Sequence, residues 1–410
     1  MASKATTLLS RGLPLVTKSA DNLYAPTGKW ILGTAGMVVG MIHVGGVTRL
    51  TQSGLSMTDW SPLGSLPPTS TEQWEREFAR YKEFPEWQQR KSMTLSEFKF
   101  IYGWEYGHRM LGRAVGLCFA LPWMYFTLRR KIPAGYQKRM VGLLCMGGTQ
   151  GLVGWWMVKS GLSDDRRNEK REIRVRPVRL TAHLSMALAT YGALLWTGFD
   201  ILGMPHSQEK LKDAVSKMSK EALRHARVLR TKSLALSGLT FLTVASGGLV
   251  AGNDAGRAYN SFPKMGDDWI PPEFMELNPW HRNFIENSAT VQFNHRILGM
   301  ATAVTALSLA AIGLSPSRAL ALTPQARKGL YAVGIAATAQ ASLGIVTLLS
   351  YVPISLAAAH QLGSIVVFTS SLYLGHALRY ARPAITRSAA VRQAAAKIPN
   401  VGPVGSVTKA

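Results

Sequence analysis

The run Glu105-Tyr106-Gly107-His108-Arg109-Met110-Leu111-Gly112 returns 187 positions later as Gln292-Phe293-Asn294-His295-Arg296-Ile297-Leu298-Gly299. Other pairs recur in the same order around it. Gly45-Gly46 with Ser53-Gly54 returns as Gly247-Gly248 with Ala255-Gly256. Gln150 and Gly154 return as Gln340 and Gly344, and Ala182-His183 as Ala359-His360. Self-similarity in the same order, at offsets from 177 to 202, marks a duplicated architecture, so the chain reads as two similar units joined by a basic stretch, 202–231.

The sequence between these landmarks is apolar. Of 410 residues 47% are hydrophobic, yet the mean hydropathy is only +0.06, because ionisable residues crowd between long uncharged stretches. That distribution excludes an ordinary soluble globule and a disordered chain. A helix needs about 20 mainly apolar residues to cross the hydrocarbon core. Eight segments qualify: 29–48, 106–128, 138–158, 180–201, 232–252, 292–314, 329–350 and 356–378. Backbone in lipid must satisfy its own hydrogen bonds, which makes them helices. The expected fold is an all-α membrane protein, its eight transmembrane helices forming two tandem four-helix bundles. An even number of helices per unit gives both bundles the same orientation. The expected division is a targeting-type segment over 1–28, a first bundle over 29–201 with the long loop 57–104, the linker 202–231, a second bundle over 232–380, and a basic tail over 381–410. Gly-rich stretches such as Met146-Gly147-Gly148 and Ser246-Gly247-Gly248 suit close helix packing or close approach to a flat ligand.

The net charge of +24 raises nucleic acid as a partner, but its placement argues for topology. The N-terminus, the loops after the second, fourth and sixth segments, and the tail, with adjoining helix ends, carry 26 basic residues against 5 acidic ones. Both termini should therefore face the more negative compartment. The tail is basic but short, and it lacks aromatic residues after Arg382, so no nucleic acid is expected. The first 20 residues hold Lys4, Arg11 and Lys18, several Ser and Thr, and no acid, the bias of a mitochondrial transit peptide. The linker 202–231 should lie along the anionic leaflet or meet a partner protein. The segment 57–104, with Trp60, Trp74, Trp87 and Trp104, reads as interfacial helices capping a site or as a folded loop without one. Cys118 and Cys145 lie inside apolar segments and supply neither a disulfide framework nor a zinc site.

Of nine histidines, His206, His225 and His281 read as solvated residues and His376 as a helix-end residue, while His43 has Ala245 in the repeat. The remaining four, His108, His183, His295 and His360, begin even-numbered segments and lie toward one membrane face, a pair in each half. Ionisable residues in membrane helices are costly, and four in a repeated pattern point to function. Zinc would want cysteine or carboxylate ligands, and only Glu105 is at hand. Copper would want methionine or cysteine clusters, which do not accompany these pairs. Haem needs two imidazoles on opposing helices, a flat apolar slot and cations for its propionates. Gly112 and Gly299 lie one turn beyond the histidines; Arg109, Arg113 and Arg296 are placed for propionate contact. The residues thus point to two bis-histidine haem sites. Glu105 precedes His108 by three positions and shares its helix face, whereas the second half has neutral Gln292. A carboxylate beside a haem edge can stabilise a developing cation or move a proton, so the first half is expected to do chemistry and the second to hold a haem. The competing reading of Glu105 is an ion pair with Arg109.

The runs Gly45-Gly46-Val47-Thr48-Arg49-Leu50-Thr51-Gln52-Ser53-Gly54-Leu55-Ser56, Glu105 to Arg113, Gly147 to Trp156 and Gln292 to Gly299 resemble the haem A synthase family, over nearly the whole chain from Lys29. The long segment 57–104 looks like the mitochondrial branch; the cysteine pairs that some bacterial members carry in outer loops are absent. The resemblance implies an oxidoreductase of the mitochondrial inner membrane, both termini in the matrix. It would oxidise a ring methyl of haem O to a formyl group, giving haem A for cytochrome c oxidase. It also implies that His108 and His183 hold the substrate haem, that His295 and His360 ligate a resident haem b, and that Glu105 is the catalytic carboxylate. A matrix ferredoxin-type partner would exchange electrons; a haem O synthase, membrane lipid and a second copy of the chain complete the implied partners. Oxygen activation and stepwise oxidation to a cation captured by water both stay open, although no cysteine thiolate ligand favours P450-like cleavage. The rival functions are a di-haem cytochrome b-type electron carrier, whose two sites should be equivalent, and a transporter or haem chaperone, which would need a polar midplane cavity.

Overall fold

The computed structural model describes residues 23–57, 64–161, 174–203 and 215–382. Most of the targeting segment, Trp60, His206, part of the linker and nearly all of the tail lie outside them. Nine longer helices occur in the order α1 (Ala25–Leu50), α2 (Thr71–Lys82), α3 (Leu95–Leu128), α4 (Gln137–Lys159), α5 (Pro177–Leu202), α6 (Lys220–Gly252), α7 (Ser288–Gly313), α8 (Pro324–Leu349) and α9 (Ile354–Ala377); the described residues form no β-strand. Their starts are written in the sequence. Proline, whose missing N–H costs nothing in a first turn, opens α1, α5 and α8. Ser70 and Thr94 form capping boxes with Gln73 and Glu97 at the heads of α2 and α3. The side chains of Ser219, Asn287 and Thr323 accept backbone N–H groups at the heads of α6, α7 and α8.

Seven of the eight expected spans are long and apolar enough to cross a membrane. The remaining one, 180–201, is a helix of 26 residues, α5, but does not reach that apolarity. Its sequence carries Thr181, His183, Ser185, Thr190, Tyr191, Thr197 and Asp200. Several of those polar groups find partners inside the protein: Tyr191 Oη and Thr369 Oγ1 of α9 are 2.6 Å apart, and Asp200 meets Arg139 and His376. Two expected boundaries also move. The span expected at 106–128 starts eleven residues earlier, because Thr94 caps a helix that takes in the end of the long loop. The end of the basic linker, from Lys220, is the first part of α6.

Contacts run in two circuits. Helix α1 touches α3 and α5, and α4 touches the same two; α6 touches α7 and α9, and α8 touches those two. The circuits meet where α5 packs on α6 and where α9 packs on α1 and α5. Ser233 and Ser237 of α6 reach Ser371 of α9 at 2.7 and 2.8 Å, hydrogen bonds of the kind that hold helices together when apolar surface alone gives no preference over lipid. The long loop is folded. Phe78, Tyr81, Phe98, Ile101 and Tyr102 are buried together, with Trp74 and Trp87 against them, so α2 and the early turns of α3 form a small aromatic core of their own.

Candidate functional site

Each of the four repeated histidines is seated against a glycine of the neighbouring helix. A methyl group on Gly45 of α1 would lie 2.9 Å from His108 Nε2. On Gly154 of α4 it would lie 2.9 Å from His183 Cε1, on Gly247 of α6 3.2 Å from His295 Cε1, and on Gly344 of α8 2.7 Å from His360 Cε1. A side chain at these positions would crowd the ring, so the glycines let an imidazole edge approach a helix backbone closely. The close approach expected for a ligand is thus made by the imidazoles. Gly299 has nothing within 4 Å of such a methyl, and Gly112 only the end of Met41, so the space one turn beyond the histidines is open.

Glutamine completes the seat in both halves. Gln150 and Gly154 are four residues apart on one face of α4, as Gln340 and Gly344 are on α8. The Gln340 amide nitrogen lies 3.0 Å from His360 Nδ1 and donates to the His360 carbonyl at 2.9 Å. That of Gln150 lies 3.1 Å from His183 Nδ1 and 3.5 Å from Nε2, and donates to the His183 carbonyl at 3.0 Å. His295 Nδ1 is 2.7 Å from Ser246 Oγ. His108 is different: neither ring nitrogen has a hydrogen-bond partner among the described residues, and Nε2 faces Gly45. The His108 and His183 ring centroids are 6.5 Å apart with planes at 65°.

The residues three positions before His108 and His295 both reach back to the loop after the preceding helix, with opposite polarity. Glu105 is buried and accepts hydrogen bonds from Ser56 N at 2.7 Å, Ser56 Oγ at 2.7 Å and Met57 N at 2.8 Å through Oε2, while Arg109 donates to Oε1 at 2.6 Å. Gln292, equally buried, donates to the Tyr259 carbonyl at 3.0 Å and the Gly256 carbonyl at 3.4 Å. Met57 and Tyr259 are equivalent positions of the repeat, as are Gln52 and Asp254, both left-handed with φ of 52° and 50°. One half holds its loop through N–H groups, the other through carbonyls. Of the three expected propionate cations, Arg109 pairs with Glu105, Arg113 donates to the Arg109 carbonyl at 3.0 Å, and Arg296 donates to the carbonyls of Tyr259 and Lys264 at 2.9 and 3.1 Å.

The other histidines divide. His376 is buried and bonded through Nε2 to Asp200 at 3.0 Å, a satisfied structural residue. His281 is exposed, but His225 is half-buried on α6 with a shielded Nε2 that finds no partner among the described residues, so the solvated reading fails for it. His43 is half-buried beside a groove of 670 Å³ that also touches Trp104 and Ala359. Sequence reasoning missed Ser246 as a partner of His295 and the loop amides around Glu105. It saw Gln150 and Gln340 recur without assigning them a task.

Described residues that are helical without strands, seven of the helices long and apolar enough to cross a membrane, define a polytopic membrane protein. Residues 28–372 match the cytochrome oxidase assembly protein family COX15-CtaA, and the chain belongs to that family. It is 44% identical over 381 residues to the heme A synthase COX15 of Arabidopsis thaliana, covering 92% of this chain and 80% of that one. It is 44% identical over 368 residues to heme A synthase COX15 of Homo sapiens, covering 89% and 85%. A heme A synthase-mitochondrial ferredoxin fusion protein of Schizosaccharomyces pombe is 40% identical over 367 residues, covering 85% of this chain and 59% of the fusion.

Proposed function

We propose that the chain is a haem A synthase of the mitochondrial inner membrane, oxidising a ring methyl group of haem O to a formyl group. The observation that carries this reading is the duplicated histidine pair, each ring seated against a glycine, in a chain so similar to proteins named for that activity. The reading includes eight spans, α5 among them, in two similarly oriented four-helix bundles with both termini in the matrix; the two circuits of helix contacts and the loop charges support it. His108 and His183 hold the substrate haem, and His295 and His360 hold a resident haem b. The glycine seats and the open space at Gly299 fit a flat macrocycle between the pairs. Haem b, when bound, supplies a one-electron carrier.

Within the first half, Glu105 acts as a fixed negative charge. Four donors and no acceptor surround it, the arrangement an ionised carboxylate needs. Electrostatic stabilisation by a preorganised group requires no rearrangement as charge develops, and Glu105 meets that condition three positions from His108. Oxidation of a methyl group releases electrons; the ferredoxin joined to the Schizosaccharomyces pombe relative supports a ferredoxin-type partner here. The domain division expected from the sequence stands as part of the same proposal, and so do contacts of Arg109, Arg113 and Arg296 with propionates.

The test is pigment extraction from purified protein. The proposal expects haem B together with haem O or haem A. Haem B alone, from preparations competent to make haem O, would favour the electron-carrier reading instead.

A further inference from the structure

Ser246 and Val44 occupy equivalent places in the repeat, each directly before the glycine that seats the first histidine of its half. In the second half the serine hydroxyl lies 2.7 Å from His295 Nδ1 and 2.7 Å from the Thr243 carbonyl oxygen. A carbonyl can only accept, and a hydroxyl carries one hydrogen. If that hydrogen went to Nδ1, two lone-pair oxygens would face each other at 2.7 Å. The arrangement that satisfies both contacts sends the O–H to Thr243 and the Nδ1–H to Ser246. The tautomer of His295 is thereby set: Nδ1 is protonated, and the Nε2 lone pair is free for a metal. A histidine that donates its other N–H in this way is oriented and made a more basic ligand, and loss of such a partner typically costs 10–100-fold in affinity.

Val44 offers nothing of the kind. His108, which has no hydrogen-bond partner among the described residues, turns Nε2 toward Gly45 where the other three rings turn Cε1 toward theirs. His183, its companion, is approached by the Gln150 amide at both nitrogens, whereas Gln340 is within reach of Nδ1 alone at His360. We propose that Ser246 is a positioning residue that latches His295, and that Val44 leaves His108 unlatched, so that the first site exchanges its haem while the second retains it. This rests on the haem reading above. It gives a physical reason why one half of a duplicated protein releases product and the other keeps a cofactor.

The experiment uses the full chain in detergent, loaded with haem B, and follows transfer of haem to excess apomyoglobin by absorbance. Release should show a fast phase abolished by His108→Ala and a slow phase abolished by His295→Ala. Ser246→Ala should quicken the slow phase roughly tenfold or more, and raise the midpoint potential of the haem that remains. Ser246→Thr, which keeps the hydroxyl, should restore both. Val44→Ser should slow the fast phase, and this holds whether or not Ser246→Ala folds. An unchanged slow phase in Ser246→Ala, with His295 still needed for it, would overturn the latch and leave the haem reading intact. Release that ignores His295→Ala would overturn both.

Discussion

Glu105 and Gln292 occupy the same place in the repeat and do opposite things with it: one takes hydrogens from its loop, the other gives them. Glu105→Gln exchanges an acceptor-only group for one that brings an N–H up against donors. Breaking a buried ion pair from one side costs about 3–5 kcal/mol, so the loop at Ser56 and Met57 should loosen while the histidine pairs stay in place. The expected result is retained haem and abolished haem A formation, read by pigment content and product assay on the same preparation; undiminished product would remove Glu105 from the chemistry. The glycine seats give a sharper contrast. Gly344→Ala places a carbon 2.7 Å from the His360 ring and should displace it, whereas Gly238→Ala, on an exposed face of α6, meets open space away from the histidines and should bind haem as the native chain does. Haem content of the two variants checks this, and equal retention would show that the seat is not needed. At this scale the sequence was legible where it repeats: all four histidines, their glycines and glutamines stand out as recurring pairs. It was silent about Ser246, because its counterpart Val44 does not repeat the hydroxyl, and about the amides that hold Glu105, because backbone donors leave no trace in composition.

Helices α3 and α5 show where hydropathy succeeds and where it stops. Helix α5 was legible as a span by length, yet it falls short of the apolarity of a membrane-crossing helix, and Tyr191 and Asp200 among its polar residues have partners in α4 and α9. If α5 crosses the membrane, Arg176→Cys at its head and Lys217→Cys beyond its foot, placed in a chain lacking Cys118 and Cys145, should react with an impermeant thiol reagent from opposite sides. Labelling from one side would leave seven spans. The aromatic unit of α2 and early α3 lay hidden in the long loop, since its apolar residues are too few and too spread out to read as a span. It buries Glu86, which Tyr81 Oη meets at 3.1 Å and Arg90 at 3.6 Å. Burial outweighs the Arg90 guanidinium and pushes the Glu86 carboxyl up to about 7 from its ordinary 4.5. The folded unit therefore binds more protons than the unfolded one between those values, and its stability falls as pH rises through that window. Glu86→Gln should flatten the profile, as followed by Trp74 and Trp87 fluorescence during unfolding; parallel profiles would contradict the burial argument.

The two halves are tied at both ends of the molecule. Arg49 of α1 pairs with Asp254, at 3.1 Å, in the loop after α6, and Arg174 joins the same carboxylate at 2.7 Å. Away from that loop, His376 of α9 and Arg139 of α4 share Asp200 of α5. Asp254 is half-exposed, so Asp254→Asn should cost at most about 1 kcal/mol in thermal unfolding of the whole chain. A much larger loss would mean that the tie sets the position of the loop that Gln292 and Arg296 grip. The duplication was legible from sequence alone; how the halves interlock was not, because the charges of Arg49 and Asp254 do not recur at their repeat positions, Ala251 and Gln52, and their meeting depends on the packing of α1, α5, α6 and α9. The central claim is that each half grips one haem between its own two histidines. Its most direct measurement is the haem stoichiometry and low-spin signal of the purified chain and of His108→Ala and His295→Ala. The account predicts two bis-histidine haems at full loading, with each substitution removing one signal and leaving the other. A full complement of low-spin haem in His295→Ala, or loss of both signals from His108→Ala in a chain that still folds, would contradict it.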